Sequence, residues 1–282
     1  MKKVGLFLGP LLCALVLLLP VPEPFTPDAW RVLAVAVFML IWWITEAVPI
    51  FVTALLPMIM VPLLQVADMK TAAAPYANPV VFLFMGGFML ALAMERWNLH
   101  RRIALNLVRL TGTNANGIIL GFMIATAFLS MWISNTATTV MMLPIALSVV
   151  DLLTRRRERG PMPPGQQAFA VSLMLGISYA ANIGGTATII GTPPNVVFAG
   201  FIRDTYGFEV NFAQWLALGF PFALILLAIT FMLLVHVLFR NGLGRFTDAQ
   251  ELIEEELAAL GPMGKGERRT LIVFIATALA WI

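Results

Sequence analysis

Long apolar runs alternate with short charged blocks along this chain. Runs of helical length cover Val4–Leu19, Ala29–Val48, Phe51–Val66, Pro79–Met94, Gly117–Leu153, Ala168–Phe201 and Phe212–Phe239, and another starts at Thr270 and reaches Ile282. A helix needs about 20 apolar residues to cross a ~30 Å hydrocarbon core. Most of the runs therefore predict membrane helices, and two depart from that length. Gly117–Leu153 has 37 residues and is interrupted near its middle by Ser134-Asn135-Thr136. Halves of about 17 residues rise roughly 25 Å each, which fits a re-entrant hairpin with a polar tip, or a pair of full crossings, rather than a single span. Ala168–Phe201 contains Asn182-Ile183-Gly184-Gly185-Thr186 and then Gly191-Thr192-Pro193-Pro194-Asn195. Weak helix formers and missing proline N–H groups predict breaks at both places.

Two polar segments predict helices outside the apolar core. In Glu95–Leu110, Trp97, Ile103, Leu107 and Leu110 can share a face opposite Arg102 and Arg109, as in a helix lying in the membrane interface. Asp248–Leu260 predicts a short helix that Thr247 or Asp248 caps, with Glu251 in its first turn.

Composition agrees with lipid as the solvent. Hydrophobic residues make up 60% of the 282 positions and charged residues 12%, against about 25% charged in soluble domains. The net charge of +3 does not require a nucleic-acid partner. With a cytoplasmic N-terminus and a hairpin that enters and leaves on one side, 15 of the 18 Lys and Arg residues face the cytoplasm, leaving Arg31, Lys70 and Arg203 outside. The N-terminal run resembles a signal peptide, but Pro20-Val21-Pro22-Glu23-Pro24 offers no small-x-small cleavage site, so it reads as a retained first membrane helix. The single cysteine, Cys13, excludes a disulfide framework. The prediction is an all-α polytopic protein of the inner (plasma) membrane.

The breaks are where chemistry concentrates. Irregular backbone survives at membrane depth only inside protein or beside a polar cavity. Half-helix N-termini attract anions, and freed carbonyls hold cations. Asn135 or Thr136 can cap the returning half of the hairpin. Thr192 can cap the helix after the second break, with Pro193 or Pro194 in its first turn. Ser130 and Ser134, four residues apart, read as one helical face; with the Asn135 side-chain oxygen and carbonyls around Ile183–Gly185 they offer the oxygen ligands that sodium prefers. No acidic residue lies between Gly117 and Val150 or between Ala168 and Ile202. A neutral cage suits sodium better than protons, for which Glu46 and His236 are the candidates and both sit near helix ends. Glu46 reads as pairing locally, Thr53 and Ser172 as packing or bonding back to their own helix, and Gly86-Gly87 as a close-packing spot. The absence of a Ser/Lys or Ser/His pair, an aspartate pair or an HExxH site at membrane depth argues against an enzyme.

Several motifs in order carry a family resemblance over essentially the whole chain. Ser134-Asn135-Thr136-Ala137-Thr138 with Met141-Met142-Leu143-Pro144-Ile145 resembles the hairpin of the divalent anion/sodium symporter family. Gly184-Gly185-Thr186-Ala187-Thr188 with Gly191-Thr192-Pro193-Pro194-Asn195 resembles its second binding loop, and Trp42–Pro49 and Leu83–Phe88 resemble early helices. The resemblance implies sodium-coupled carriers of succinate, malate, fumarate, citrate or sulfate that work as homodimers by an elevator motion. It places Ser130, Ser134, Asn135 and the Gly184/Gly185 backbone at a sodium site. It puts Asn135 and Thr136 on a substrate carboxylate, with Thr192, Pro193, Pro194 and Asn195 shaping that loop.

On this reading residues 1–94 are scaffold helices, 95–115 an interfacial helix and linker, and 116–153 the hairpin. Residues 154–166 form a cytoplasmic loop, 167–240 the broken helix and the next crossing, 241–269 a cytoplasmic linker, and 270–282 the start of a second repeat. The family has two inverted repeats and this sequence shows one Ser-Asn-Thr, so the expectation is the first half of a carrier that does not transport by itself. The alternatives are a sodium-independent anion exchanger and a non-transporting assembly subunit. No organic cofactor is expected; the partners are a small divalent anion and membrane lipid.

Overall fold

The computed structural model describes residues 1–112, 114–155, 163–244 and 247–281. The chain forms α1 Lys2–Leu18, α2 Pro27–Thr45, α3 Ile50–Ala54, α4 Leu56–Leu63, α5 Met69–Ala73, α6 Pro79–Arg96 and α7 Leu99–Leu110. It continues with α8 Ala115–Ser130, α9 Asn135–Arg155, α10 Pro164–Ala187, α11 Pro193–Tyr206, α12 Phe212–Met232, α13 Thr247–Ala259 and α14 Lys265–Trp281. Among the described residues there is no strand element. Pro27–Thr45, Met69–Arg96, Pro164–Ala187 and Phe212–Leu238 are each long and apolar enough to cross a membrane. The chain divides into two compact units, Met1–Phe82 and Leu83–Ile282.

In the first unit α1 packs on α2 through small residues. Gly5, Gly9 and Cys13, spaced four apart on one face, are all buried. A Cβ on Gly9 would stand 2.7 Å from the Phe38 ring and 2.8 Å from that of Trp42, so the missing side chain is what lets the helices meet. Trp30 Nε1 donates to Val16 O at 2.8 Å at the other end of the pair. Glu46 ends α2 in the left-handed conformation and lies 3.5 Å from Lys2. The apolar run from Phe51 to Val66 is two short helices, not one, because Pro57 cannot donate the bond that would continue α3 into α4.

In the second unit α8 and α10 are the central pair, with α7, α9 and α12 packed around them. Phe122, Phe169, Ile119 and Leu173 are fully buried there. Gly176 closes on Met123 and Gly184 on the Ala127 backbone. Of the two predicted interruptions only the second is present: α10 remains helical through Asn182–Thr186. A glycine costs a helix about 1 kcal/mol, and here α8 and Asn135 fill the space the missing Cβ atoms leave. The real break is Thr188–Thr192, ended by the paired prolines that open α11, before which Thr192 is held extended.

The segment expected to lie in the interface buries a second face, and one of its arginines is not where it was expected. Asn98, left-handed, separates α6 from α7, and the buried side of α7 is Leu99, Ala104, Leu105 and Val108, while Trp97 and Leu110 are exposed. Arg102 is not on the solvent side: it pairs with Glu267 and donates to Gly261 O at 2.9 Å. Arg101 pairs with Glu256, so two arginines of α7 hold α13 and the α13–α14 turn. The caps expected at Thr247 or Asp248, and the basic residues Arg156, Arg157, Arg159 and Arg245, lie outside the residues whose side chains are described.

The Glu267 side chain is 7% exposed and that of its partner 17%; removing one member of such a pair costs about 3–5 kcal/mol. Glu267→Ala is expected to lower stability by that order in reversible detergent unfolding. Asp28→Ala, which removes an exposed partner of Arg31, should cost less than about 1 kcal/mol.

Candidate functional site

The hairpin tip and the end of α10 meet at one point. α8 stops at Ser130, the chain turns over Met131–Ile133, and α9 starts at Asn135. The turn takes Ser134 off the helical face it was expected to share with Ser130: Ser130 is fully buried and Ser134 exposed. Ser134 is also the cap of α9, in place of Asn135 or Thr136, since its Oγ accepts the Ala137 N–H at 3.3 Å.

Ser130 Oγ lies 2.7 Å from Asn135 Oδ1 and 2.7 Å from Ala181 O. A hydroxyl carries one proton, so Ser130 can donate to only one of these two acceptors, and its other contact is left as lone pair facing lone pair. The orientation of the Asn135 amide is set from behind: its Nδ2 donates to Asn182 Oδ1 at 3.3 Å, and Asn182 Nδ2 donates to Ser178 O at 2.9 Å. Asn182 thus turns the carbonyl end of Asn135 toward Ser130. Sequence reasoning counted Asn182 only as part of a break; its spacing of four from Ser178 on α10 was the available sign.

Gly185 is touched from both sides. A methyl on it would overlap Asn135 Oδ1, and its carbonyl accepts Asn195 Nδ2 at 2.8 Å. The same Asn195 nitrogen reaches Thr188 O at 2.8 Å. Asn195, 8% exposed, therefore fastens the start of α11 to the end of α10. The carbonyl expected to be free at Gly185 already carries one bond, leaving a second lone pair. Thr188 Oγ1 donates to Met131 O at 2.5 Å and ties the break to the hairpin turn. Trp215 Nε1 of α12 donates to Thr186 O at 3.0 Å.

The N-termini of α9 and α11 thus flank one residue of α10, but they are not equivalent. Among the described residues, the N–H groups of Asn135 and Thr136 have no acceptor, as at any open helix start. α11 opens with Pro193 and Pro194, which have no N–H, and the Thr192 side chain makes no cap bond. Hydrogen-bond donors for an anion come from α9, whereas α11 contributes its dipole. Thr136, Pro193 and Pro194 are exposed, and Asn135 and Thr192 half-buried.

Three other readings are resolved locally. Ser172 Oγ bonds back to Phe169 O at 3.0 Å. Gly87 faces Ile190 at 3.1 Å from an added Cβ, while Gly86 has nothing within 4 Å. His236 lies in a π-helical turn, Leu233–Leu238, that closes α12.

Helices of membrane-crossing length, one of them broken and packed against a helical hairpin, define a multi-pass membrane protein with polar backbone held inside it. The chain belongs to the sodium:sulfate symporter transmembrane region family, whose model matches residues 2–282. It is 42% identical over 281 residues to the sodium-dependent dicarboxylate transporter SdcS of Staphylococcus saprophyticus and, at the same identity, to that of Staphylococcus aureus strain USA300. Each alignment covers 100% of this chain and 54% of the relative, so the chain spans about half the length of these curated relatives.

Gly184 and Gly86 give a test of the packing at the site. Gly184→Ala drives a methyl into the Ala127 backbone and is expected to cost about 1–3 kcal/mol, as overpacking does. Gly86→Ala, in open space, should be neutral or stabilising, with both read from unfolding midpoints of the purified chain.

Proposed function

We propose that this chain forms part of a sodium-coupled carrier of dicarboxylates or related divalent anions. Sodium is taken by Ser130, Ser134, Asn135 and the backbone of Gly184 and Gly185. A substrate carboxylate is received by Asn135 and Thr136, and Thr192, Pro193, Pro194 and Asn195 shape the adjoining wall. The observation that carries this reading is the Ser130 hydroxyl set against two acceptor oxygens, Asn135 Oδ1 and Ala181 O, with one proton between those two contacts. An oxygen cluster short of hydrogens is satisfied by a cation, and it lies beside the open N-terminus of α9. The names of the relatives, sodium-dependent dicarboxylate transporters, agree with a cation and a dianion.

The arrangement explains coupling by charge. No acidic residue lies in α8, in α10 or in α9 before Asp151, so bound sodium leaves a net positive site. Unit charges about 4 Å apart at an effective dielectric of 20 attract by on the order of 4 kcal/mol. Each ion therefore raises the affinity for the other, reciprocally. The further parts of the reading are a homodimer, an elevator motion, a re-entrant hairpin and a cytoplasmic N-terminus in a plasma membrane. They rest on the family resemblance and on the 15-to-3 division of basic residues.

Sodium is expected to raise the unfolding temperature of the purified chain by a few degrees at constant ionic strength, and potassium is not. Asn135→Ala should abolish that difference. Equal responses to both ions, or an unchanged response in the variant, would remove the cation site from this account. Liposomes holding only the 282-residue chain are expected to show no sodium-driven succinate uptake, because the proposed carrier site takes residues from two repeats; uptake above protein-free liposomes would show that one is enough.

A further inference from the structure

A cavity of about 340 Å³ opens where α12 ends, with Asn116, His236, Arg240 and Asn241 as its polar lining beside Val235 and Leu243. Its walls are fixed by a buried amide. Asn241, 7% exposed, donates from Nδ2 to Asn116 Oδ1 at 2.9 Å and accepts the Leu243 N–H at 3.0 Å. Its backbone oxygen sits over Gly165 of α10, where any side chain would collide with it. Because Oδ1 of Asn116 is held by Asn241, the Asn116 Nδ2 group is left as a free donor.

The π-helical turn shapes the opposite wall. Phe239 N bonds to Leu234 O at 2.9 Å, a five-residue step that widens the last turn of α12. Arg240 Nε donates to His236 O, which anchors the guanidinium by one edge. Neither of its Nη nitrogens, and neither ring nitrogen of His236, has a partner among the described residues. The lining thus carries guanidinium, imidazole and amide donors and no acidic side chain. It lies at the end of Phe212–Leu238, a stretch long and apolar enough to cross a membrane, which is the place where a crossing helix meets lipid headgroups.

From this we propose that the cavity binds a phosphate-type anion. An anionic phospholipid headgroup and a free phosphate share that chemistry, and basic pockets between membrane helices take such headgroups. The site is separate from the hairpin site and does not depend on its reading.

The test uses the full 282-residue chain in nanodiscs of phosphatidylcholine. One arm titrates phosphatidylglycerol into the discs, another adds inorganic phosphate to the buffer, and unfolding is followed by tryptophan fluorescence. Saturable stabilisation is expected in at least one arm. Arg240→Gln should weaken it ten-fold or more, while Arg96→Gln, which removes the same charge from the exposed end of α6, should weaken it by no more than about five-fold. His236→Gln, an exposed change, provides a second variant should Arg240→Gln misfold, and it too should weaken binding beyond the Arg96 control. Saturation by phosphatidylglycerol alone assigns the site to lipid, and saturation by phosphate alone assigns it to a soluble anion. No saturable effect in either arm, or equal losses in Arg240→Gln, His236→Gln and Arg96→Gln, overturns the proposal.

Discussion

The contact between Asn135 and Gly185 is the constraint on which the rest of the site depends. Gly185 must lack a side chain for the hairpin tip to reach α10, and Asn135 must reach α10 to meet Asn182 and Ser130. Once that contact is made, α10 need not break at its glycines, since the hairpin fills the gaps they leave. The break is left to the second predicted place, Thr188–Thr192, ahead of the proline pair that opens α11. Asn195 then closes the loop by bonding back to Gly185. One residue of α10 thereby organises an oxygen cluster on one flank and a helix start on the other.

Much of the architecture was legible in the sequence. The apolar runs gave the long helices, and Ser134-Asn135-Thr136 marked the hairpin turn because an amide flanked by hydroxyls in a 37-residue apolar stretch needs polar company. The pairing of the two break regions followed from the same need, and the family match over residues 2–282 agrees with the motifs that suggested it. What escaped was set by tertiary contact. Local propensity placed a break at Gly184-Gly185, where packing against α8 overrides it. The identity of the α9 cap and the separation of Ser130 from Ser134 depend on where a helix turns by one or two residues, which periodicity does not resolve. Arg102 looked solvent-facing because its partner, Glu267, is 165 residues away.

The polar ends of the second unit follow a different logic from its centre. Around Ser130 the side chains are neutral, and satisfaction comes from backbone carbonyls and amides. Around α7 and the α13–α14 turn it comes from charge pairs, Arg101 with Glu256 and Arg102 with Glu267. Neutral groups at the centre leave the net charge there to be set by whatever binds, which is what the proposed coupling of a cation to an anion requires. Fixed charge pairs at the end hold the linker in place without adding to that field.

The most direct measurement is equilibrium binding of radioactive sodium to the purified chain in choline buffer, compared between the native sequence and a folded Gly185→Ala variant. The account predicts saturable binding that unlabelled sodium displaces and potassium does not, and its loss when a methyl separates Asn135 from α10. Undiminished sodium binding by the Gly185→Ala chain would contradict it.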